Sequence, residues 1–538
     1  METVLLADNN RHFLETRAEF LTQAGYDVIT ALTLQDAERV LGEGRVQGAI
    51  LDMRLENDDD PKDESGLTLA KKSDYRLIPK ILLTRYPTYE IVREALSADG
   101  AGLPPVVDFV AKQEGPEALI SALKRLFSLH VHDNPSLVIQ FADGELASFS
   151  NLAILLEPAL SGEQMSSRAA ELTNLFRQLF YGKTEVKIER LLWWDEGRAA
   201  FLAFTFAPGK AQPQVVVCGR SELIVEEARR RQDYAPDAPD GNGTTLVKTC
   251  ETMRFAVTAY ALAGMTMEAN FTLAGLYREH PEETFNAALD TLFEKTLPAW
   301  QQEKTVADEA QSIADLYCEA LGVSQHLLSA PEVRRRIRTV AQQAPRLGAK
   351  IEENDGALTL RLAQGAFTYP HPAAFPDSTS KRPLLVNTPG HLSGENILAD
   401  GAGHVWLTDF ARAGLRPLLW NYTSLEAIIR FDWAEPNSIQ AMHEMGRSLT
   451  ESFVRINVGD VEPQLRKPVR AIRHLRQLAL RHGQVDQREY QLGLFYLAAQ
   501  RLAAFDPAGH LTDKELARLT NIISTQAMIC AELISGAG

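Results

Sequence analysis

The sequence predicts a mixed α/β chain, with a doubly wound parallel sheet at the N-terminus followed by an α+β region whose C-terminal part is helical. Three observations lead to this fold class. Short runs rich in Val, Ile and Leu alternate with segments of helical spacing up to residue 128. Alternating runs punctuated by Gly and Pro follow, and from residue 255 the apolar spacing is mostly helical. Strands that alternate with helices predict a parallel sheet, whereas the punctuated meander predicts antiparallel strands.

Length and composition limit the class of protein. The 538 residues exceed what one core can organise, and 45% hydrophobic with 23% charged residues is an ordinary globular balance. The formal net charge of -16 disfavours nucleic acid as a partner. No apolar run is long enough to cross a bilayer and no signal-like stretch opens the sequence, so we predict a cytoplasmic protein without a membrane partner. The four cysteines lack CxxC spacing, which predicts neither zinc nor disulfides.

Polar side chains stand where the predicted N-terminal strands end. Asp8, Asp52, Thr84 and Lys112 close the runs "TVLLAD", "GAILDM", "KILLTR" and "VVDFVAK". In a parallel sheet the chemistry lies at the carboxyl ends of the strands. A carboxylate with a second acid to share Mg²⁺, a hydroxyl and an ammonium can accept a phosphoryl group. The alternative is that the Asp and Thr residues cap the following helices.

Residues 3 to about 128 resemble the receiver domain of two-component response regulators, because the Asp, Thr and Lys positions fall in register. The resemblance implies that Asp52 is the phosphoacceptor and that Asp8 and Asp52 hold Mg²⁺. It implies that Thr84 is the switch hydroxyl and that Lys112 contacts the phosphate. It further implies a sensor histidine kinase as the upstream partner and a phosphorylation-dependent homodimer.

Three details bear on this resemblance. Phe109 lies where the family has an aromatic switch residue. The acidic pair expected after the first strand reads Asp8-Asn9, which removes one negative charge from the metal pocket. The acidic loop 54–66 is longer than a normal connection, and we interpret it as a solvated loop rather than a lip for metal or a partner.

The next region has a different pattern. We place the receiver at 1–128, a polar linker at 129–136 and a small sheet domain at 137–254. The runs "TEVKIERLLWW", "RAAFLAFTFAPG" and "PQVVVCG" predict an antiparallel meander, and "SELIVEEARRRQDYA" predicts a helix with Glu226 and Glu227 near its middle. A small sheet with a Glu-bearing helix is the arrangement of a kinase-like N-lobe, in which a strand Lys orients phosphates and pairs with that Glu.

Residues 255–538 are predicted to form a mostly helical C-lobe that begins with a hinge strand at residue 255 and contains one hairpin. The runs "ENILAD" and "HVWLTDF" are joined by "GAGH", a hairpin signal. This hairpin brings Asn396 and Asp409 to the same end, where an amide oxygen and a carboxylate can hold Mg²⁺ on the phosphates of a nucleotide. The alternative is that Asn396 and Asp409 serve only as turn and cap residues.

Residues from about 150 to 500 resemble the aminoglycoside-phosphotransferase and choline-kinase-like protein-kinase fold, whose catalytic loop has the form HGDxxxxN. Counting back from the Asn of the hairpin, HGD falls on Pro389, Gly390 and His391. The Lys expected in "VVVCG" falls on Val217 or Cys218. The catalytic carboxylate and the phosphate-orienting ammonium are both missing, and these supply most of phosphoryl-transfer catalysis.

We therefore predict a response regulator whose receiver is phosphorylated on Asp52 and controls a pseudokinase that acts on an unknown downstream protein. The remaining cofactor positions are Glu226, Asn396 and Asp409, with Asp409 also a metal ligand and ATP the nucleotide. The alternative is an unconventional ATP-dependent phosphotransferase in which His391 acts as the base and another cation replaces the missing Lys. The basic segment 465–482 is interpreted as the solvated face of an amphipathic helix.

Overall fold

The computed structural model describes most of the chain and divides it into two compact units. Unit 1 comprises residues 1–228 and 245–262, and unit 2 comprises residues 229–244 and 263–538. Of the predicted linker, residues 131–133 and 135 lie outside the described part, and the helix before them runs to His130. The described residues are 3–42, 46–72, 75, 78–85, 88–97, 104–130, 134, 136–142, 146–195, 197–207, 210–235, 243–265, 270–308, 311–322, 329–354, 356–374, 382–435, 438–482, 485–505 and 511–535.

The N-terminal domain is a five-stranded parallel sheet with the strand order β2-β1-β3-β4-β5, which confirms the predicted parallel α/β fold. Its strands are β1 (Thr3–Ala7), β2 (Asp27–Ala31), β3 (Gly48–Asp52), β4 (Lys80–Thr84) and β5 (Asp108–Ala111). Its helices are α1 (Arg11–Gln23), α2 (Leu34–Gly42), α3 (Ser65–Ala70), α4 (Tyr89–Leu96) and α5 (Pro116–His130).

The central strands of this sheet are apolar throughout because both of their faces are covered. Leu5 and Leu51 belong to one hydrophobic cluster, and their neighbours Val4 and Ile50 belong to the cluster on the opposite face. A strand buried on both faces cannot alternate polar and apolar residues. The continuous Val/Ile/Leu runs of the sequence are the direct result.

The second sheet of unit 1 has six strands in the order β10-β11-β9-β8-β7-β6. Strands β7, β8, β9 and β11 are successive antiparallel neighbours, and β6 runs parallel to β7. The strands are β6 (Val138–Phe141), β7 (Glu185–Asp195), β8 (Arg198–Ala207), β9 (Lys210–Arg220), β10 (Thr244–Glu251) and β11 (Phe255–Leu262). The accompanying helices are α6 (Phe149–Leu156), α7 (Gly162–Leu179) and α8 (Ser221–Tyr234). The predicted meander and helix are confirmed.

The boundary predicted at residues 254 and 255 does not separate two parts of the fold. Strand β11 pairs with β9 along seven residue pairs, so it is a member of the six-stranded sheet. Seven of its eight residues are buried, because the strand is covered on both faces.

Unit 2 combines three small sheets with a set of helices. The sheets are β12 (Asn270–Thr272) with β18 (Ile397–Asp400) and β19 (Val405–Leu407), β13 (Lys304–Val306) with β17 (Leu384–Thr388) and β20 (Gly414–Pro417), and β14 (Lys350–Asn354) with β15 (Ala357–Leu362) and β16 (Gly365–Pro370). The helices are α9 (Leu273–Glu279), α10 (Glu282–Thr291), α11 (Leu297–Trp300), α12 (Ile313–Leu321), α13 (Ala330–Gln343), α14 (Trp420–Ile428), α15 (Ile439–Glu451), α16 (Arg466–His482), α17 (Gln487–Ala504) and α18 (Asp513–Ser535). Within the described ranges, no helix is long and apolar enough to cross a membrane.

A buried ionic network ties α14, α16 and α17 together in unit 2. Glu426 is fully buried and accepts two hydrogen bonds from Arg476, at 2.8 Å from Nε and 2.6 Å from Nη2. The Tyr490 hydroxyl donates to the same carboxylate at 2.8 Å, and Arg430 Nη1 lies 3.8 Å from it. Arg476 also donates to the Leu449 carbonyl oxygen at 2.7 Å. The burial of Arg476 corrects, for this residue, the interpretation of the basic segment 465–482 as the solvated face of a helix.

We predict that Arg476→Met lowers the free energy of unfolding by about 3–5 kcal/mol, because it leaves the Glu426 carboxylate buried without its main cation. Arg481→Met is the matched control on the same helix, since Arg481 forms an exposed ion pair with Glu294. Such a pair contributes roughly 0–1 kcal/mol. Urea unfolding of the full chain measures both variants, and equal small losses would contradict the role of the buried pair.

Candidate functional site

The carboxyl ends of the parallel strands bring three of the predicted residues into direct contact. Asp8 follows β1, Asp52 ends β3 and Lys112 follows β5. The Lys112 Nζ atom lies 2.8 Å from Asp8 Oδ2 and 2.7 Å from Asp52 Oδ2. All three side chains are buried, with 5% or less of each exposed. One ammonium therefore bridges two buried carboxylates.

The alternative that these residues cap helices fails for each of them. Helix α1 is capped by Asn10, whose Oδ1 accepts a hydrogen bond from the Phe13 N–H at 3.1 Å. Helix α4 is capped by Thr88 rather than by Thr84. Helix α3 begins at Ser65, far along the chain from β3. The strand-end residues Asp8, Asp52 and Thr84 therefore are not the caps of these helices.

A glycine holds the end of β3 in place. Gly66 N donates to the Met53 carbonyl oxygen at 3.0 Å, and a Cβ atom at Gly66 would lie 1.8 Å from the Asp52 carbonyl oxygen. No side chain fits there without moving the backbone of Asp52. Gly66 was not among the residues predicted from the sequence. A glycine in the first turn of a helix, directly after an acidic loop, is the sequence signal for a close approach of two backbone segments.

A buried arginine supports the same cluster and was also missed. Arg17 lies on the buried face of α1 with Leu14 and Leu21, and its Nη2 donates to the Lys112 carbonyl oxygen at 2.9 Å. Burial lowers the pKa of Arg17, and the nearby Asp8 opposes this shift. A basic residue at an apolar position of the helical repeat is the sequence signal for such a contact.

Burial raises the pKa of Asp52 to about 6. The negative charge of Asp8 contributes to this shift, and Lys112 partly opposes both effects. Desolvation and a like charge each disfavour the ionised form of a carboxylate. At neutral pH this carboxylate is mostly ionised but held at a free-energy cost, which a bound cation would relieve.

The donor set suits a magnesium ion, which prefers carboxylate oxygens and retains several waters. Asp8 and Asp52 are the residues that would hold it. The Asn9 amide points elsewhere and donates to the Arg54 carbonyl oxygen at 2.8 Å. Across the described part of the chain, no group of three or more His, Cys, Asp or Glu side chains is arranged to bind a metal.

The acidic loop 54–66 is organised by its own backbone contacts. The carboxylate of Asp63 accepts hydrogen bonds from the Glu56, Asn57 and Ser65 N–H groups at 2.6–3.1 Å. The interpretation of a loop without a metal role agrees with these contacts. Thr84 is buried at the end of β4, and Phe109 is half-buried against the hydrophobic cluster below α4.

A second set of predicted residues lies in unit 2, at one end of the hairpin β18-β19. Asn396 directly precedes β18, and Asp409 follows β19 by two positions. The Asn396 carbonyl oxygen accepts hydrogen bonds at 3.0 Å from both the N–H and the hydroxyl of Thr408. The predicted hairpin is confirmed, and it brings these two residues to the same end.

The side chains of this pair are engaged in local contacts. Asn396 Oδ1 accepts from the Ser393 N–H at 2.7 Å, and its Nδ2 donates to the His391 carbonyl oxygen at 2.8 Å. Asp409 Oδ1 accepts from the Ala411 N–H at 3.2 Å. These contacts favour the alternative in which Asn396 organises the loop before the hairpin.

The loop 389–396 packs too tightly to accept larger residues. A Cβ atom at Gly390, which has φ +109°, would lie 2.6 Å from the carbonyl carbon of Arg412. A Cβ atom at Gly394 would lie 2.4 Å from the indole of Trp433. Trp420 Nε1 donates to the Gly390 carbonyl oxygen at 2.8 Å. This segment is a rigid part of unit 2.

Burial and, to a smaller extent, the positive charges of Arg501 and Arg412 lower the pKa of His391 to about 4. Asp409 and Asp432 act in the opposite direction. At neutral pH the imidazole is therefore uncharged. A base with a pKa so far below neutrality is a weak proton acceptor in catalysis.

In unit 1, the buried acid of α8 is Glu227 rather than the adjacent Glu226. Glu227 is 1% exposed, and its Oε2 lies 2.8 Å from Arg198 Nη1. Arg198 also forms an ion pair with Asp195 and stacks over Trp193 at 4.9 Å. Sequence reasoning looked for a lysine on β9 and so missed an arginine on the neighbouring strand β8.

The two positions at which the kinase resemblance places a lysine are apolar core positions. Val217 and Cys218 are fully buried on β9, and burial raises the pKa of the Cys218 thiol. Arg220 lies 3.8 Å from the exposed Glu222. The side chain of Lys210 lies outside the described residues.

The raised pKa of Asp52 predicts a pH-dependent local stability. An unfolded Asp titrates near pH ~3.9. The folded pKa lies above this value, so the contribution of the group to stability is full below about pH 4 and is lost as the pH rises to 6. We predict that Asp52→Asn stabilises β3 by about 2–3 kcal/mol at pH 7 and by much less near pH 4.

Hydrogen exchange followed by mass spectrometry measures this effect in the peptide that contains β3. Asp108→Asn is the control, because Asp108 forms a partly exposed ion pair with Arg125 in the same domain. Exchange in β3 that is equally fast in Asp52→Asn and in the unaltered chain at pH 7 would refute the prediction.

Comparisons with known proteins place the similarity in the N-terminal domain. No family model matches the chain, and no curated protein does. Similar solved structures include chemotaxis protein CheY4 of Vibrio cholerae (24% identity, 23% of this chain and 98% of that chain, TM-score 0.20) and a response regulator of Thermotoga maritima (20% identity, 24% and 98%, TM-score 0.20). Another is the signal receiver domain of a histidine kinase from Syntrophus aciditrophicus (26% identity, 24% and 91%, TM-score 0.20). By its own strand order and strand-end residues, the N-terminal domain is a receiver-like α/β domain.

Proposed function

We propose that the chain is a response regulator whose receiver domain accepts a phosphoryl group on Asp52. The observation that supports this most directly is the bridge from Lys112 Nζ to Asp8 and Asp52. A purely structural ion pair needs one carboxylate, whereas this site concentrates two around one ammonium at the carboxyl edge of the sheet. Ligands and chemistry in such sheets occur at this edge.

The residues suggest a division of tasks. The ionised Asp52 carboxylate forms the new oxygen–phosphorus bond, and the bond from phosphorus to the donor's leaving group breaks. Lys112 lies within reach of the acceptor carboxylate and is placed to contact a phosphate oxygen. Thr84 is buried at the end of the adjacent strand β4, and its hydroxyl is the group that would contact the added phosphoryl group. Magnesium held by Asp8 and Asp52 would supply positive charge for the transferred group.

The upstream partner in this proposal is a sensor histidine kinase. A small phosphoryl donor replaces that partner in the test. We predict that acetyl phosphate with Mg²⁺ produces a slower band in phosphate-affinity electrophoresis, and that the band is absent in Asp52→Asn. The rate should fall as the pH drops through about 6, since only the ionised carboxylate attacks phosphorus.

Asp108→Asn is the control and should be phosphorylated normally, because Asp108 lies on β5 in a partly exposed ion pair. A band that persists in Asp52→Asn, or the absence of any band in the unaltered chain, would argue against the phosphoacceptor role.

We further propose that the remainder of the chain is a kinase-like module that acts through protein interaction and not through phosphoryl transfer. The supporting observation in unit 1 is the chain order β7-β8-β9-α8-β10-β11, with a helix between the third and fourth of these strands and a buried Glu227 on that helix. In unit 2 the support is the hairpin flanked by Asn396 and Asp409.

Catalysis is disfavoured by the chemistry of these positions. Val217 and Cys218 provide no ammonium, and Glu227 pairs with Arg198. His391 stands where a catalytic Asp is expected, and its pKa of about 4 makes it a poor base. Losing a base and a phosphate-orienting cation together removes most of the positioning and charge stabilisation that phosphoryl transfer needs.

The competing function is an unconventional ATP-dependent phosphotransferase. The half-buried carboxylate of Asp409 is the feature that favours it, since a carboxylate at this hairpin end could still hold Mg²⁺ with Asn396. The pseudokinase proposal predicts that calorimetry of the full chain with ATP and Mg²⁺ shows no turnover. Any heat of binding should disappear in Asp409→Ala and persist in the exposed control Asp460→Ala.

Steady release of ADP that is lost in Asp409→Ala would favour the phosphotransferase. No binding in any form would mean that Asn396 and Asp409 serve only the hairpin. The receiver proposal is tested separately by the electrophoresis of Asp52 variants, so the two outcomes do not depend on each other.

A further inference from the structure

A small cavity in unit 2 has a lining that suits an organic anion. Its volume is about 210 Å³, and it lies among the end of α8, the π-helical turn Leu292–Thr296, α11 and the strand β19. Pockets for drug-sized ligands occupy roughly 300–1,000 Å³. A cavity of this smaller size fits one ring with one charged group.

Aromatic side chains form one part of the lining. Trp300 and Phe410 are buried and stack with their centroids 5.8 Å apart and their planes inclined by 12°. Trp406 contributes a further buried indole, whose Nε1 donates to the Ala263 carbonyl oxygen at 2.8 Å. The hydrogen bond fixes this ring, so the apolar surface is preorganised.

Cationic side chains form the other part. Arg231 lies 5.8 Å from the Trp300 ring and 5.3 Å from the Phe410 ring, and its Nη2 donates to the Thr244 carbonyl oxygen at 2.7 Å. These contacts hold the guanidinium in one place. Lys295 lies at the exposed rim of the same cavity.

None of the described residues that line the cavity is acidic. Two carboxylates close to lining residues are paired with basic side chains. Asp400 Oδ2 lies 2.8 Å from Nδ1 of the lining residue His404, and Glu294 pairs with Arg481. The lining contains the guanidinium of Arg231 and, at the rim, the ammonium of Lys295, both beside aromatic rings, and none of its described residues is acidic. This arrangement favours an anion over a neutral or cationic ligand.

We propose that this cavity binds a small organic anion that carries one aromatic ring and a carboxylate or phosphate group. The charged group is recognised by Arg231 and Lys295, and the ring contacts the aromatic lining. The site is distinct from the Asp52 cluster and does not include Asn396 or Asp409, so it is independent of the proposed function.

Calorimetry of the full chain with phenylacetate and phenyl phosphate tests the proposal. We expect saturable binding of at least one probe with a dissociation constant of ~1 mM or lower. Whichever probe binds more tightly identifies the charged group. Benzyl alcohol and inorganic phosphate, which each lack one half of the ligand, should bind about tenfold more weakly or not at all.

Variants locate the binding. Lys295→Gln removes the rim charge and should weaken binding by about tenfold, the effect of one charge-assisted hydrogen bond. Ala299→Phe fills the cavity and should abolish binding. Lys304→Gln, an exposed lysine outside the lining, is the control and should leave binding unchanged. The proposal is overturned if neither probe binds, or if Lys295→Gln and Ala299→Phe bind as tightly as the control.

Discussion

The attraction between one buried ammonium and two buried carboxylates is the constraint around which the N-terminal domain is organised. Lys112 comes from the end of β5, and its two partners come from the ends of β1 and β3. Three strands must therefore end at the same level for the charges to compensate each other. Two carboxylates this close and this buried are costly without the cation, because both desolvation and mutual repulsion favour their protonated forms. The three side chains together keep a net negative charge, so the site favours the binding of a further cation.

Backbone packing gives this charged cluster its precision. Gly66 lets the loop after β3 fold back onto the backbone of Asp52, and Arg17 holds the carbonyl oxygen of Lys112 from α1. Neither residue touches the carboxylate that is proposed to react. Both limit how far its neighbours can move, which is how supporting residues preorganise a reactive group.

In unit 2 a different buried interaction fixes the positions of neighbouring elements. A fully buried carboxylate, Glu426, gathers an arginine and a tyrosine from two other helices. The rigid loop before the hairpin is then packed by glycines against Arg412 and Trp433. In this loop the amide of Asn396 is used twice for local hydrogen bonds. Asn396 belongs to a residue pattern that is typical of metal and nucleotide binding, and its hydrogen bonds show that it can stabilise the loop without any ligand.

The sequence by itself determined the periodic features and the residues at strand ends. Apolar runs and helical spacing follow from burial, so the parallel sheet, the meander, α8 and the hairpin were all predicted. Residues Asp8, Asp52 and Lys112 could be selected because parallel strands end at one edge. Side-chain partners across elements were not predictable in this way. Arg198 and Glu227 are 29 residues apart, and Arg17 and Lys112 are 95 apart. Only the tertiary structure decided these pairs, because local periodicity carries no information about which distant faces meet. The same reason applies to the boundary predicted at residue 255, since only the pairing of β11 with β9 shows that this strand belongs to the six-stranded sheet.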